Sequence, residues 1–368
     1  MSDTIIEKFA STVVRYSLAT RPGDLFLIRS TTLAVPLVRE IYREALVVDA
    51  HPICRLTFDG QTETFFRHAS EAELDWVNPI DRVETQSMTT RLTINAPFNT
   101  RATAGIDPAV ISRAMRAQLE IADITRKRSA AGELRWCGTL FPTNALAQEA
   151  GMSLGDYEQF VYKAMFLDRD DPIAEWRAFS VGQQEKVDLL DTVKTLRIVA
   201  ADTDLTLSVA GRKWMNSDGH RNFPSGEVFT GPIENSASGL IRFTYPAVHG
   251  GHEVDDVRLW FENGKVVKAT AARGKEYLDA MLDSDAGARF LGEVAIGNNY
   301  GIQVFTKNIL FDEKIGGTCH LALGSSYPET GGKNDSSLHW DMVCDLRQGG
   351  EIHADGQVIH RNGQWVSG

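Results

Sequence analysis

The chain has 368 residues, 43% hydrophobic and 24% charged, which is ample for a large buried core without disulfide staples. Its formal net charge of −11 excludes a general nucleic-acid binder, because phosphate contacts need clustered Lys and Arg and only short runs such as Arg126-Lys127-Arg128 occur. No apolar run reaches the roughly 20 residues of a membrane span, the first residues lack a signal-peptide pattern, and four scattered cysteines form no CxxC pair, so a reduced, cytoplasmic protein with no membrane contact is expected.

Residues 5–18 place Ile5, Phe9, Val13 and Tyr16 at helical spacing. Arg21-Pro-Gly-Asp24 is a turn signal, and residues 25–28 form a short apolar run suited to a buried parallel strand. A helix over 35–45 and strands over 52–58 and 90–94 follow. Asp107-Pro108 predicts a helix start, with Asp as the cap and Pro in the first turn, and that helix is expected to run to about 128. Residues 135–140 read as a strand, then 154–167 and 172–193 as helices. The texture then changes to strands over 196–210, 241–245, 257–262 and 266–271, with Asn263-Gly264 as a hairpin turn and a short helix over 275–282. The expected fold is an α/β N-terminal domain, residues 1–190, followed by an α+β, β-rich metal-binding catalytic domain, residues 191–368.

Common catalytic signatures are missing: there is no HExxH helix, no GxGxxG fingerprint, no Walker loop and no GxSxG elbow. Metal-competent residues instead gather in the second half. His339 and Asp341, in His339-Trp-Asp341, would share one face of a strand, with Trp340 on the other. Imidazole beside carboxylate suits Zn²⁺, Co²⁺, Mn²⁺ or Fe²⁺. Taken alone, each candidate has a plainer reading. HxD pairs commonly lie on surfaces, His320 in Cys319-His-Leu-Ala-Leu323 reads equally as a core histidine, and Glu227 could be an exposed residue beside the Pro224-Ser-Gly226 turn. Glu293 stands out more, because Leu291-Gly-Glu-Val-Ala-Ile296 reads as buried and buried charges are usually paired or bind metal.

Taken together, these segments resemble the thermophilic, aminopeptidase T-like (M29) family of metallo-aminopeptidases. The resembling pieces, in order, are Pro224-Ser-Gly-Glu-Val-Phe-Thr230, Leu291-Gly-Glu-Val-Ala295, Asn308-Ile-Leu-Phe-Asp-Glu313, His320-Leu-Ala-Leu-Gly-Ser-Ser-Tyr327 and Asn334-Asp-Ser-Ser-Leu-His-Trp-Asp341. The resemblance implies that Glu227, Glu293, His320, His339 and Asp341 hold two divalent ions (Zn, Co or Mn). It implies Glu293 as a bridging or base-like carboxylate and Tyr327 as a ligand or transition-state donor at the site. It also implies hydrolysis of short peptides or related small amides, and a homodimer. The segment between Tyr327 and His339 is shorter than that family's pattern. In its Pro328-Glu-Thr-Gly-Gly332 it resembles the 2,5-dihydroxypyridine dioxygenases, ring-opening enzymes that use one Fe²⁺. That branch carries residues resembling Phe and His where Glu227 and Glu293 stand, and no histidine at His320, so the hydrolase is the expected activity and the dioxygenase the alternative. His249 and His252 read as a solvated turn, His353 and His360 as exposed, and Cys319 as packing on the face away from His320.

Overall fold

The apolar run at residues 25–28 lies inside Leu25–Thr31, an inner strand of a five-stranded sheet. The computed structural model describes residues 3–366. The strand order is His51–Thr57, Leu25–Thr31, Thr90–Asn95, Arg135–Leu140, Asn222–Phe223, and every neighbouring pair is parallel. Phe26 and Ile28 are wholly buried, as a strand covered on both faces requires. This sheet belongs to the first of two units, residues 1–173 with 219–223; the second takes residues 174–218 and 224–368.

In the first unit, helix Asp3–Thr12 runs into a wider turn over Val13–Ser17 and packs on helix Val35–Val47. The helix expected from 107 to 128 is two helices, Pro108–Ala117 and Leu119–Ala130, divided at Gln118, where ψ opens to 0°. Asp107 does cap the first, its side chain accepting from the Ala109 amide. Three short helices, Gln61–His68, Glu71–Asp75 and Pro79–Ser87, occupy a stretch where hydrophobic periodicity announces nothing. They carry almost no buried apolar stripe, so the usual signal has no cause there.

Among the described residues, the second unit contains two large antiparallel sheets and a two-stranded hairpin, Ala247–His249 with His252–Val254. One has eight strands in the order Lys265–Thr270, Arg258–Glu262, Ser238–Arg242, Thr203–Ser208, Thr195–Ala200, Glu351–Ala354, Gln357–Arg361, Gln364–Trp365. Its Asn263-Gly264 turn has φ of 51° and 81°, the positive pair that a tight hairpin needs. The other, the site sheet, runs His339–Asp345, Thr318–Gly324, Leu291–Gly297, Glu227–Thr230, Met215–Ser217. Ile198, Leu207 and Phe261 of the first sheet join Val294, Leu321 and Trp340 of the second in one hydrophobic cluster. His360 is not exposed as expected but wholly buried. The terminal strand Gln364–Trp365 folds back on it and sets Trp365 edge-on to its ring at 5.7 Å. Among the described residues, no helix is long and apolar enough to cross a membrane.

Candidate metal centre

Strand register puts the five candidate ligands on one face of the site sheet. Glu293 and Asp341 each stand opposite Ala322, and His320 stands opposite Ala295 and Val343. Glu227 faces Gly297. Directly opposed residues point the same way, and residues two apart along a strand do too. The face is therefore Glu227, Glu293, His320, His339 and Asp341 around Ala295, Gly297 and Ala322, whose small size leaves a hollow. The other face sends Val228, Val294, Ile296, Cys319, Leu321 and Trp340 into the hydrophobic cluster. Cys319 thus packs away from His320, and Trp340 backs the site, as the alternation predicts.

One residue needs more than alternation. Leu291 and Glu293 are two apart, yet Leu291 is in the core cluster and Glu293 in the hollow. A register shift between them, with Gly292 as the extra residue, turns Glu293 over. Gly292 passes so close to the next loop that a Cβ there would lie 2.2 Å from the Ser325 carbonyl oxygen. Gly324, at the end of strand Thr318–Gly324, has φ of 97°, and a Cβ there would lie 2.1 Å from the Leu338 carbonyl oxygen.

The donor atoms form two linked groups. His320 Nε2 lies 3.5 Å from Glu227 Oε2 and 3.5 Å from Glu293 Oε1. His339 Nε2 lies 3.5 Å from Glu293 Oε2 and 3.5 Å from Asp341 Oδ1. Glu293 therefore presents one oxygen to each group. These separations exceed the optimal N–H···O length of about 2.9 Å. They match the edge, about 3.4 Å, of a tetrahedral shell with arms of about 2.1 Å. Glu227 Oε2 and Asp341 Oδ1 are buried without a hydrogen-bond partner, the condition of oxygens aimed at a cation. The His339 Nδ1 lies 2.8 Å from the Ser325 carbonyl oxygen and donates to it, which leaves Nε2 as the nitrogen that would face a cation. The residues present fit divalent cations.

Two further side chains join the cluster. Glu313 groups with His320 and Asp341 at ligand spacing. It follows helix Ile309–Asp312, whose start is capped by Asn308. The segment Asn308–Glu313 was among the resembling pieces, but Glu313 alternates with nothing and sits outside a strand, so no periodicity singles it out. Lys314 is wholly buried, with Nζ 3.6 Å from Glu227 Oε1 and in contact with Glu313 Oε1.

The electrostatics follow from crowding charge in a dry place. Burial pushes the Glu227 carboxyl up to about 8 and that of Asp341 up to about 6. Burial also opposes the charge on Glu293, but the facing imidazoles of His320 and His339 outweigh it and hold Glu293 at about 2. Burial disfavours both imidazolium ions, yet Glu293 and the other carboxylates raise His320 to about 10 and His339 to about 9. Tyr327 packs edge-on against His339 at 5.2 Å and against Phe229 at 5.5 Å. Burial of its hydroxyl, then repulsion from the carboxylates, raises its pKa well above that of free tyrosine.

The short segment after Tyr327 is tied down rather than open. The Asn334 amide donates to the Gly324 and Gly287 carbonyls. Asp285 accepts from the hydroxyls of Ser336 and Ser337 and from the Ser337 amide, which holds its carboxyl down at about 2. His249 and His252 do not form a metal group with these residues. They end a hairpin in which His249 Nδ1 lies 2.9 Å from the Tyr277 hydroxyl and His252 stacks on the Tyr277 ring.

Known proteins share this arrangement of chain. The fold matches the solved structure of wild-type AmpT from Thermus thermophilus with a TM-score of 0.88 over 99% of both chains, at 24% identity. It matches 2,5-dihydroxypyridine dioxygenase from Pseudomonas putida KT2440 with a TM-score of 0.58 over 100% and 99% of the two chains, at 13% identity, a likeness of fold alone. In sequence, the chain is 31% identical to Aminopeptidase 2 of Geobacillus stearothermophilus over 98% of this chain and 97% of that protein. It is 28% identical to Aminopeptidase T of Thermus aquaticus over 72% and 74%. The model of the thermophilic metalloprotease (M29) family matches residues 2–365, and the chain belongs to that family.

Proposed function

We propose that this metallo-aminopeptidase holds two divalent cations, one among Glu227, Glu293 and His320 and one among Glu293, His339 and Asp341, and releases N-terminal residues from short peptides or related small amides. The observation that carries the reading is Glu293, which turns one oxygen to each imidazole at 3.5 Å. When bound, a pair of Zn²⁺, Co²⁺ or Mn²⁺ ions activates water and polarises the scissile carbonyl. Glu293 is ionised at neutral pH, as a bridging ligand and a proton acceptor both must be. Tyr327 keeps its proton at neutral pH and so can donate to the oxyanion that forms as the carbonyl is attacked. Glu313 adds a fourth carboxylate against His320 and Asp341. The dioxygenase alternative has a fold likeness and the segment at 328–332 in its favour, but Glu227, Glu293 and His320 depart from that branch's pattern.

Two further features belong to this reading. The first unit exposes Ile53, Phe58, Trp76, Ile80, Met115 and Leu119, apolar side chains available to the homodimer that the family resemblance implies. The four unbridged thiols fit a reducing cytoplasm. Elemental analysis of the purified protein should find two equivalents of a transition metal per chain. Hydrolysis of amino-acid amides and dipeptides should stop on chelation and return on adding Zn²⁺, Co²⁺ or Mn²⁺. Full hydrolysis after exhaustive chelation would end the proposal, and sedimentation equilibrium decides the dimer.

A further inference from the structure

Lys314 is the one group in the cluster that cannot be a ligand, and it is also the most deeply placed. Its backbone is fixed on both sides, its amide donating to the Phe311 carbonyl and its carbonyl accepting from the Asn299 amide. The side chain is 0% exposed, so the ammonium cannot reach water as a surface lysine does. It lies instead between Glu313 and the outer oxygen of Glu227, whose other oxygen, Oε2, faces His320. A buried ammonium persists only when carboxylates pair with it, and here two do.

The placement is lopsided. Lys314 touches Glu227, a ligand of one cation only, and Glu313, which stands against His320 and Asp341; Glu293, His339 and Asp341 make no ion pair with it among the described residues. Glu227, Glu293, Glu313 and Asp341 together carry four negative charges when ionised. Two divalent cations would cancel them, and the ammonium leaves one positive charge in excess. Counted over the ionised carboxylates and the ammonium, the first cation leaves a net charge of −1, whereas the second overshoots neutrality. The repulsion falls mainly on the Glu227 side, because Coulomb energy weakens with distance.

We propose that Lys314 is a built-in counter-cation, a positioning residue that stands against Glu227 and Glu313 when no metal is there and makes the cation on the Glu227 side the more weakly held of the two. This rests on the two-cation reading above. It gives the side chain two effects: it keeps paired carboxylates tolerable in a dry hollow before metal arrives, and it makes the two cations unequal. The cation among Glu293, His339 and Asp341 fills first and stays; the one among Glu227, Glu293 and His320 exchanges.

Titration of the metal-free full-length protein with Co²⁺, followed by calorimetry and by the visible absorption of the bound ion, tests this without reference to activity. The wild type should bind two equivalents in two distinguishable steps. Lys314→Met should tighten the second step about tenfold or more, closing the gap, while Lys314→Arg, which keeps the charge, should leave the gap in place. Binding of fewer than two equivalents by the wild type would sink the two-cation reading itself. Two steps in the wild type and an unchanged gap in a folded Lys314→Met protein would overturn the role of Lys314 alone. If Lys314→Met unfolds without metal, its recovery on adding Co²⁺ supports the proposal, since cation and ammonium then substitute for one another. Failure to fold in saturating Co²⁺ overturns it.

Discussion

The inner strand Leu25–Thr31 of the first unit's parallel sheet and the inner strands of the second unit's site sheet are buried by different means. Leu25–Thr31 fills its inner positions with Phe26, Leu27 and Ile28, and the apolar faces need nothing else. Leu291–Gly297 and Thr318–Gly324 are buried along their whole length, yet one face carries Glu293 and His320. The inner positions of that first strand are satisfied by hydrophobic burial. The site sheet leaves a polar face whose charges are costly unless something compensates them. Burial by itself therefore does not distinguish a core from a site. The distinguishing sign is what the buried face would need in order to be satisfied.

The sharpest way to break this contrast is Glu293→Gln. Losing the shared carboxylate should cut peptidase activity about a thousandfold or more, about 4 kcal/mol of barrier, and drop metal content below two per chain. Elemental analysis beside the activity assay checks both. The matching change in the other sheet, Ile28→Ala, should destabilise the protein by about 2–5 kcal/mol in denaturant unfolding, with metal content per folded chain unchanged.

Metal removal should come next in size. Ligand present at a hundred times its Kd stabilises by about 2.7 kcal/mol, so chelation should lower Tm by several degrees through the second unit. The pH dependence has a definite sign. In the metal-free protein His320 and His339 have raised pKa values, so the stability they contribute is present below the ordinary histidine value and is lost as pH rises through about 9 to 10. Ionisation of Glu227 as pH passes about 8 acts in the same direction. The raised Glu227 starts the loss near pH 4.5 and His320 ends it near 10, so the chelated protein should lose Tm between about pH 4.5 and 10. Cation affinity should rise over the same range, because protons and metal compete for the same atoms. Calorimetric scans with and without Zn²⁺ would show it, and parallel curves would count against a metal site. The smallest effect should be Tyr327→Phe, a loss of about 10–100-fold in kcat with metal content intact.

Much of this was legible in the residues. Alternation placed His339 and Asp341 on one face, with Trp340 and Cys319 turned away, and the register agrees. The apolar run at 25–28 and the Asn263-Gly264 turn were readable from local physics alone. Other features were not. The short helices between 61 and 87 bury too little to leave a pattern. His360 is covered by a strand that pairs only at the end of the chain.

The sequence by itself determined the chemistry available: a set of carboxylates and imidazoles in an order shared with a family of metallo-aminopeptidases, on strands whose period aims them. Only the tertiary structure decided which of them meet. The bulge at Gly292 that turns Glu293 over, the arrival of Glu313, and the burial of Lys314 beside Glu227 all depend on contacts between residues distant along the chain. Periodicity reports which way a side chain points from its own strand. It carries no record of what stands opposite, and a metal centre is made of what stands opposite.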